Sequence, residues 1–216
     1  MIKVLTKFPL ALDSPDFITP WGTMRDNSTN PEFIKEVITR FENKKINFLD
    51  LGCSGGKLIR DFIPFCEYSV GLEGSNYSII NQRAEWPDLY LQNLFTCDVS
   101  KPFDIFHDVA ENGIQRIHFD CITAWELIEH LKPESLDTFF HNVYKHLKDN
   151  GIFVCSISWA SEMSTGIQLH QTIWKENQWN EYFAKLGLFV EAEEKIKNYV
   201  RVERESFHRT FRKVIK

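Results

Sequence analysis

Three residues with acid–base side chains follow one another closely in the middle of the chain. Glu126, Glu129 and His130 stand at positions i, i+3 and i+4, so a helix beginning there carries all three on one face. Such a face allows the imidazole of His130 to remove a proton from a hydroxyl group. It also allows two carboxylates and an imidazole to bind a divalent cation that lowers the pKa of that hydroxyl. His170 is a second histidine available to either site, and Glu129 and His130 also suit a structural role, capping and pairing within the fold.

The segment 48–56 reads Phe-Leu-Asp-Leu-Gly-Cys-Ser-Gly-Gly and is typical of a strand that runs into a tight turn. Small residues let the backbone approach a ligand closely, and a following helix offers free N–H groups. The turn is not a dinucleotide-binding fingerprint, because Ser54 and Lys57 stand where two of its glycines are required. It is not a P-loop either, since no Gly-Lys-Ser/Thr sequence closes it. The spacing therefore disfavours a nicotinamide dehydrogenase.

Acidic residues end the next two apolar stretches. Glu73 closes a Val-Gly-Leu-Glu segment 23 positions after Asp50, and Asp98 closes a Thr-Cys-Asp segment that precedes Val99. Either carboxylate alone is more often a solvated strand end. The order and spacing of the whole set argue against chance.

The glycine turn, the acidic strand ends and the stretch 119–130 (Phe-Asp-Cys-Ile-Thr-Ala-Trp-Glu-Leu-Ile-Glu-His) resemble motifs of class I S-adenosylmethionine (SAM) dependent methyltransferases. The resemblance covers about residues 46–190. It implies SAM as the cofactor, with Gly52 facing the methionine part and Asp50 orienting the turn and the amino group. It further implies Glu73 on the ribose, Asp98 on the adenine and Trp125 near the sulfonium. The expected cofactor-binding residues are Asp50, Gly52, Cys53, Ser54, Gly55, Glu73, Gly74, Asp98, Val99 and Trp125.

Ser54 departs from the family pattern, which often has glycine there. Serine is small, so we expect a tolerated change with a slightly different backbone approach to the ligand.

The Glu-x-x-Glu-His cluster looks like that of ubiquinone-biosynthesis O-methyltransferases. It also looks like that of small-RNA terminal 2′-O-methyltransferases, and in these RNA enzymes two Glu and two His hold a metal. The resemblance implies His130 and His170 as catalytic residues. It implies Glu126, Glu129, His130 and His170 as candidate ligands of a divalent cation. The fuller His-rich motif of the RNA enzymes is missing, and we favour a non-metal role of the cluster over metal ligation.

Composition restricts the class of protein. The chain has 216 residues, a net charge of −5 and 43% hydrophobic residues, which disfavours disorder and a large nucleic-acid footprint. No apolar run reaches the length of a membrane span, and the start lacks a secretory signal pattern. The five cysteines form no C-x-x-C pair, which indicates a reducing compartment, and we predict a cytoplasmic protein.

The elements that position these residues alternate between strands and helices, which predicts an α/β fold with a mostly parallel sheet covered on both faces. Strands are expected at 46–51, 68–72, 94–97, 119–124 and 152–157. Helices are expected from Asn30-Pro31, over 58–63, over 136–147 with Asn150-Gly151 as its end, and over 179–186. Segments 188–192 and 199–211 are expected to form a C-terminal antiparallel hairpin. The resemblance implies that the whole is a seven-stranded, Rossmann-like methyltransferase sheet.

We expect one methyltransferase domain over 1–216, with 1–45 as an N-terminal cap and first helix and 46–216 as the SAM-binding core. Residues 1–30 show no period and are expected to form an irregular cap over the ligand edge. Together with 161–179 they are expected to line the acceptor pocket.

The sequence favours methyl transfer from SAM to an oxygen of a small molecule, such as a sugar or a phenolic metabolite. RNA 2′-O-methylation is the first alternative. A SAM-binding regulatory partner without turnover is the second. The acceptor and the oligomeric state are left open.

Overall fold

The computed structural model describes residues 1–109, 113–201 and 205–215. The strands are β1 (Ile2–Thr6), β2 (Ile46–Leu51), β3 (Cys66–Glu73), β4 (Leu94–Thr96), β5 (Phe103–Val109), β6 (Gly113–Arg116), β7 (Phe119–Ala124), β8 (Leu147–Ser158), β9 (Met163–Ser164), β10 (Ile167–Gln168), β11 (Phe189–Glu191) and β12 (Ser206–Lys213). The helices are α1 (Pro15–Ile18), α2 (Trp21–Arg25), α3 (Pro31–Arg40), α4 (Lys57–Phe62), α5 (Tyr77–Ile80), α6 (Trp86–Leu89), α7 (Leu136–His146) and α8 (Glu176–Leu186). Short 3-10 turns cover Ile63–Phe65, Ile128–His130 and Pro133–Ser135.

The main sheet has seven strands in the order β11-β12-β8-β7-β2-β3-β4. Strands β8, β7, β2, β3 and β4 are parallel, whereas β12 runs antiparallel to β8 and β11 antiparallel to β12. The predicted Rossmann-like methyltransferase sheet and its C-terminal antiparallel hairpin are confirmed. Residues 202–204, in the middle of the predicted final strand, lie outside the described residues.

Strand order reverses between β2 and β7, because the chain adds β3 and β4 on one side of β2 before returning to its other side. Ligands of such sheets bind at this switch point, beyond the carboxyl ends of the strands. The glycine turn after β2 and the Glu-x-x-Glu-His segment after β7 therefore emerge side by side.

Helices bury apolar side chains on both faces of the sheet. Phe33 of α3 and Ile59 of α4 belong to one buried cluster, and Phe139 and Phe140 of α7 belong to the other. Asn30 caps α3 as predicted, since its Oδ1 accepts from the backbone N–H of Glu32 at 2.9 Å.

The predicted end of the helix over 136–147 is wrong. Helix α7 ends at His146, and Leu147 already has an extended backbone and pairs with Phe119 of β7. Asn150-Gly151 therefore lies inside β8 rather than in a helix cap. Pairing with the neighbouring strand outweighs the local helix-ending signal.

The N-terminal residues are more regular than expected. Strand β1 pairs with β5, which pairs with β6, and the three form a second, antiparallel sheet. The chain then passes through α1 and α2 across the carboxyl edge of the main sheet. None of the described helices combines the length and the apolar character that a bilayer crossing requires.

Candidate functional site

An open cleft of about 570 Å³ lies at the carboxyl edge of the main sheet. Its walls include the turns after β2, β3, β4 and β7, the N-terminal segment 11–26 and the segment 158–170. This volume falls in the range usual for small-molecule sites. Both groups of predicted chemistry-bearing residues reach this one cleft.

The glycine turn bends sharply at Gly52, which has a φ of +76°. The N–H groups of Gly52 and Cys53 donate to the carbonyl of Leu72, at 2.8 and 3.1 Å, so the turn is tied to the end of β3. Gly52 lines the cleft, whereas the Cys53 side chain is buried in the core. Gly55 is also buried, and a Cβ built there would overlap Oδ1 of Asn27.

Ser54 connects the glycine turn to the N-terminal segment. It lines the cleft, and its hydroxyl donates to the carbonyl of Asp26 at 2.8 Å. Its φ of +46° is in the left-handed region that favours glycine, so the backbone here has the conformation expected of the glycine in the family pattern. Its N–H donates to Oε2 of Glu73 at 2.8 Å.

Glu73 is a buried carboxylate that lines the cleft at the end of β3. Besides Ser54, it accepts from the N–H of Ser75 at 3.1 Å and from the hydroxyl of Thr23 at 3.3 Å. Burial raises its pKa despite these hydrogen bonds. Gly74 lines the cleft beside it, and its carbonyl accepts from the N–H of Ala11 at 2.9 Å.

Asp98 and Val99 line the cleft after β4. Oδ1 of Asp98 accepts from the N–H and the hydroxyl of Ser100, at 2.9 and 2.6 Å. Its own N–H donates to the carbonyl of Phe8 at 2.9 Å, which ties this strand end to the N-terminal segment.

Asp50 and Trp125 occupy different depths. Asp50 lies behind the cleft, accepts from the hydroxyl of Thr123 at 2.6 Å, and has its pKa raised to about 7 by burial. Trp125 lines the cleft and packs edge-on against Phe33, with ring centroids 5.2 Å apart. Its indole N–H is buried without a hydrogen-bond partner among the described residues.

The Glu-x-x-Glu-His segment does not begin a helix. Glu126 has a φ of +47°, and only a single 3-10 turn, Ile128–His130, follows. The shared helical face therefore does not form. Instead, ligand atoms of Glu129, His130 and His170 lie within 4.8 Å of one another, and this is the only such group found among residues 1–109, 113–201 and 205–215. Glu126 lines the cleft outside this group, which we call the carboxylate–histidine cluster.

Glu129 is fully buried in the cluster. Its Oε1 accepts from the N–H of Ser158 at 2.9 Å, but its Oε2 has no hydrogen-bond partner within the described part of the chain. Burial raises the pKa of this carboxyl group. A buried carboxylate oxygen without a partner is unusual and indicates a place for a proton, a cation or a ligand donor.

The two histidine rings of the cluster have centroids 4.6 Å apart. Nδ1 of His130 lies 2.8 Å from Oδ2 of Asp16. Burial alone would lower the pKa of His130, but the hydrogen bond and charge of Asp16 raise it to about 9. Nδ1 of His170 lies 2.7 Å from the carbonyl of Ala160, and its Nε2 lies 3.0 Å from Oε2 of Glu162. Burial and the nearby charge of His130 lower the pKa of His170.

Sequence reasoning missed Asp16, Glu162 and Thr23. Asp16 and Thr23 reach partners that are 114 and 50 residues away in sequence, and Glu162 reaches His170 within a segment without a recognisable motif. A pattern in the sequence does not disclose such contacts.

Comparison with known proteins gives curated relatives over part of the chain. A small RNA 2′-O-methyltransferase of Mus musculus is 29% identical over 125 residues, and that of Rattus norvegicus matches equally. The matched region covers 54% of this chain, and the chain spans about 30% of the length of these relatives.

Two solved structures share the fold. A SAM-dependent methyltransferase from Clostridium acetobutylicum has a TM-score of 0.58 at 16% identity, covering 91% of this chain and 97% of its own. Magnesium protoporphyrin IX methyltransferase from Synechocystis, solved with bound S-adenosylhomocysteine, has a TM-score of 0.58 at 12% identity, covering 92% and 96%.

A family model for a methyltransferase domain matches residues 27–214, most of the chain. The match includes the glycine turn, the acidic strand ends and the cluster. The chain belongs to the methyltransferase domain family.

Proposed function

We propose that the protein transfers the SAM methyl group to a hydroxyl oxygen of a small molecule, such as a sugar or a phenolic compound. The observation that carries the proposal is the carboxylate–histidine cluster, which borders the same cleft as the motif residues for SAM. The acceptor oxygen attacks the methyl carbon, the carbon–sulfur bond breaks, and sulfur leaves as the neutral thioether. The hydroxyl proton passes to the cluster.

For the cofactor, we propose that Glu73 accepts from the ribose hydroxyls and Asp98 from the adenine amino group. Gly52 and Trp125 then flank the methionine part and the sulfonium. Asp50, Cys53 and Gly55 act from behind the cleft by shaping the turn, while Ser54, Gly74 and Val99 contribute backbone surface. The protein mainly aligns donor and acceptor, because the sulfonium is already an activated methyl donor.

The cluster residues fit a divalent cation. Glu129 offers an unpartnered buried oxygen, and the Nδ1 atoms of His130 and His170 have other partners, which leaves Nε2 of each ring as the possible ligand. This pattern is usual for metal-binding histidines. A cation held by Glu129, His130 and His170 would lower the pKa of the acceptor hydroxyl. Glu162, which is half exposed, would have to leave Nε2 of His170.

A cation-free centre is the second form of this proposal. The Ala160 carbonyl occupies Nδ1 of His170, so its Nε2 would take the proton, once Glu162 has moved away from it as in the cation form. Removal of metal by a chelator distinguishes the forms, since only the cation form loses turnover and regains it with Mn²⁺ or Mg²⁺.

The charge of the cleft supports a small acceptor without many negative charges. Acidic side chains outnumber basic ones among its described lining residues. The acidic residues are Asp13, Asp16, Asp26, Glu73, Asp98, Glu126, Glu134 and Glu162, and the Lys and Arg residues are Lys101, Lys132 and Arg201. A polyphosphate backbone would meet repulsion here.

RNA 2′-O-methylation is the second candidate, and the partial match to small RNA 2′-O-methyltransferases favours it. A ribose 2′-hydroxyl needs the same activation as a sugar hydroxyl.

We further propose that residues 1–216 work as one domain, with 1–45 as its cap and first helix. We also propose that the protein acts in the cytoplasm.

The experiment is a methyl-transfer assay with isotope-labelled SAM and separate pools of glycosides, phenols and 3′-terminal RNA oligonucleotides. We expect labelled O-methyl product from a small-molecule pool, and its loss in His170→Ala. Product from RNA alone would replace the first candidate with the second. SAM binding without product from any pool would favour the regulatory partner.

A further inference from the structure

Two segments of the chain cover the carboxylate–histidine cluster. One is the N-terminal segment 11–26, and the other is the segment 158–170, which includes the β9–β10 hairpin. A hydrogen bond from the indole N–H of Trp21 to the hydroxyl of Ser164 joins them. The cover therefore forms from two parts of the chain that are far apart in sequence.

Asp16 reaches from this cover to the cluster. It is the second residue of α1, after Pro15, and its N–H donates to the hydroxyl of Ser14 at 3.3 Å. Its Oδ2 lies 2.8 Å from Nδ1 of His130, and its side chain is 30% exposed in the cleft wall. The partner of this histidine thus comes from a helix that lies outside the main sheet.

His170 is held differently. Its Nδ1 bonds to the carbonyl of Ala160, ten residues away on the same segment. A local backbone contact fixes that ring, whereas the ring of His130 depends on a carboxylate 114 residues distant. Loss of the N-terminal contact would leave only one of the two rings oriented.

We propose that Asp16 is a positioning residue that holds His130 with Nε2 directed at the centre shared with Glu129 and His170. The proposal rests on the proposed function of the cluster. The new element is that the carboxylate–histidine cluster is complete only when the N-terminal segment 11–26 covers the cleft. A carboxylate on Nδ1 fixes both the ring orientation and the nitrogen that carries the proton.

The test is calorimetric titration of the full chain with Mn²⁺, comparing wild type, Asp16→Ala, Asp16→Asn and Asp13→Ala. Loss of such a partner usually weakens metal binding by about 10- to 100-fold, which we expect for Asp16→Ala. Asp16→Asn should bind more tightly than Asp16→Ala, since its amide oxygen still accepts from Nδ1–H. Asp13 also lines the cleft, but the carboxylate bonded to His130 is that of Asp16, so Asp13→Ala controls for the lost charge.

Equal affinity in wild type and Asp16→Ala would overturn the proposal, as would equal weakening in Asp13→Ala. A second measurement uses ¹⁵N-labelled histidine and long-range NMR correlations, which report the protonation of each ring nitrogen. We expect the His130 nitrogen signals to change in Asp16→Ala while far-ultraviolet circular dichroism stays constant. If wild type does not bind Mn²⁺, the cation form of the proposed function fails, and the NMR signals then decide on Asp16: unchanged signals reject it.

Discussion

Glu73 combines burial, cleft exposure and contacts to three segments of the chain. Its carboxylate accepts from Ser54 and Ser75 while one edge borders the cleft. A hydrogen bond to a charged group contributes about 1.5–3 kcal/mol. We therefore predict that Glu73→Ala weakens S-adenosylhomocysteine binding at least about tenfold by calorimetry.

The matched control is Glu67→Ala, because Glu67 is exposed at the opposite end of the same strand, β3. It should bind S-adenosylhomocysteine as wild type does. Unchanged affinity in Glu73→Ala would reject the ribose assignment.

His146 is a buried histidine remote from the cleft lining. It stacks on Phe103 with centroids 4.8 Å apart, its Nδ1 bonds to the Asn142 carbonyl, and burial lowers its pKa to about 4. The unfolded chain, with a pKa near about 6.5, binds this proton first as pH falls. His146 therefore lowers the free energy of unfolding by about 2 kcal/mol between pH 7 and pH 5.

Urea unfolding of wild type and His146→Gln at both pH values measures this contribution. The variant removes the titrating group, so its free energy of unfolding should fall less over the same interval. Other groups titrate equally in both proteins and cancel in the difference. Parallel losses in the two proteins would contradict the prediction.

At the scale of elements, the short helix α4 depends on a distant cap. Its N-terminal residue Lys57 donates its N–H to Oδ1 of Asn27 at 3.0 Å, and that same oxygen occupies the space beside Gly55. We predict that Gly55→Ala displaces Asn27 and costs about 1 kcal/mol of unfolding free energy, the usual value of an N-cap.

Gly22→Ala is the comparison, because a Cβ there meets nothing within 4 Å and Gly22 lies in helix α2. Alanine in a helix is stabilising by about 0.5–1 kcal/mol relative to glycine. Chemical denaturation should move the two variants in opposite directions. Equal stability of the two would refute the role of Asn27.

The strands of the main sheet could be predicted because both of their faces are buried. Every residue of β7 is buried, so its apolar run stands out in the sequence. Strand β5 alternates buried Phe103 and Ile105 with polar residues, and its partner β1 lies about 100 residues away in sequence. No local signal marks such a pairing.

The candidate site likewise has residues that could be predicted from the sequence and residues that could not. The positions of Glu73 and Asp98 in the cleft wall could be predicted, because each lies at the carboxyl end of a strand of the parallel sheet. The contact of Asp16 with His130 could not, because Asp16 belongs to a segment without periodicity. The left-handed backbone at Glu126 also escaped prediction, and it redirects the residues that follow β7.

For the whole molecule, the cleft is where ligand binding contributes to stability. A ligand that binds only the folded state, at about 100 times its Kd, adds about 2.7 kcal/mol. We predict this gain for S-adenosylhomocysteine and none for NAD, measured as unfolding free energy. A similar gain with NAD would contradict the conclusion that the glycine turn is not a dinucleotide-binding site.

The stretch from Asp16 to Thr23 touches the two ends of the cleft at once, through His130 and Glu73. An outward movement of this stretch would remove a wall from the proposed nucleoside end and from the proposed acceptor end together. The nucleoside product and the methylated molecule would then leave the cleft through the same opening.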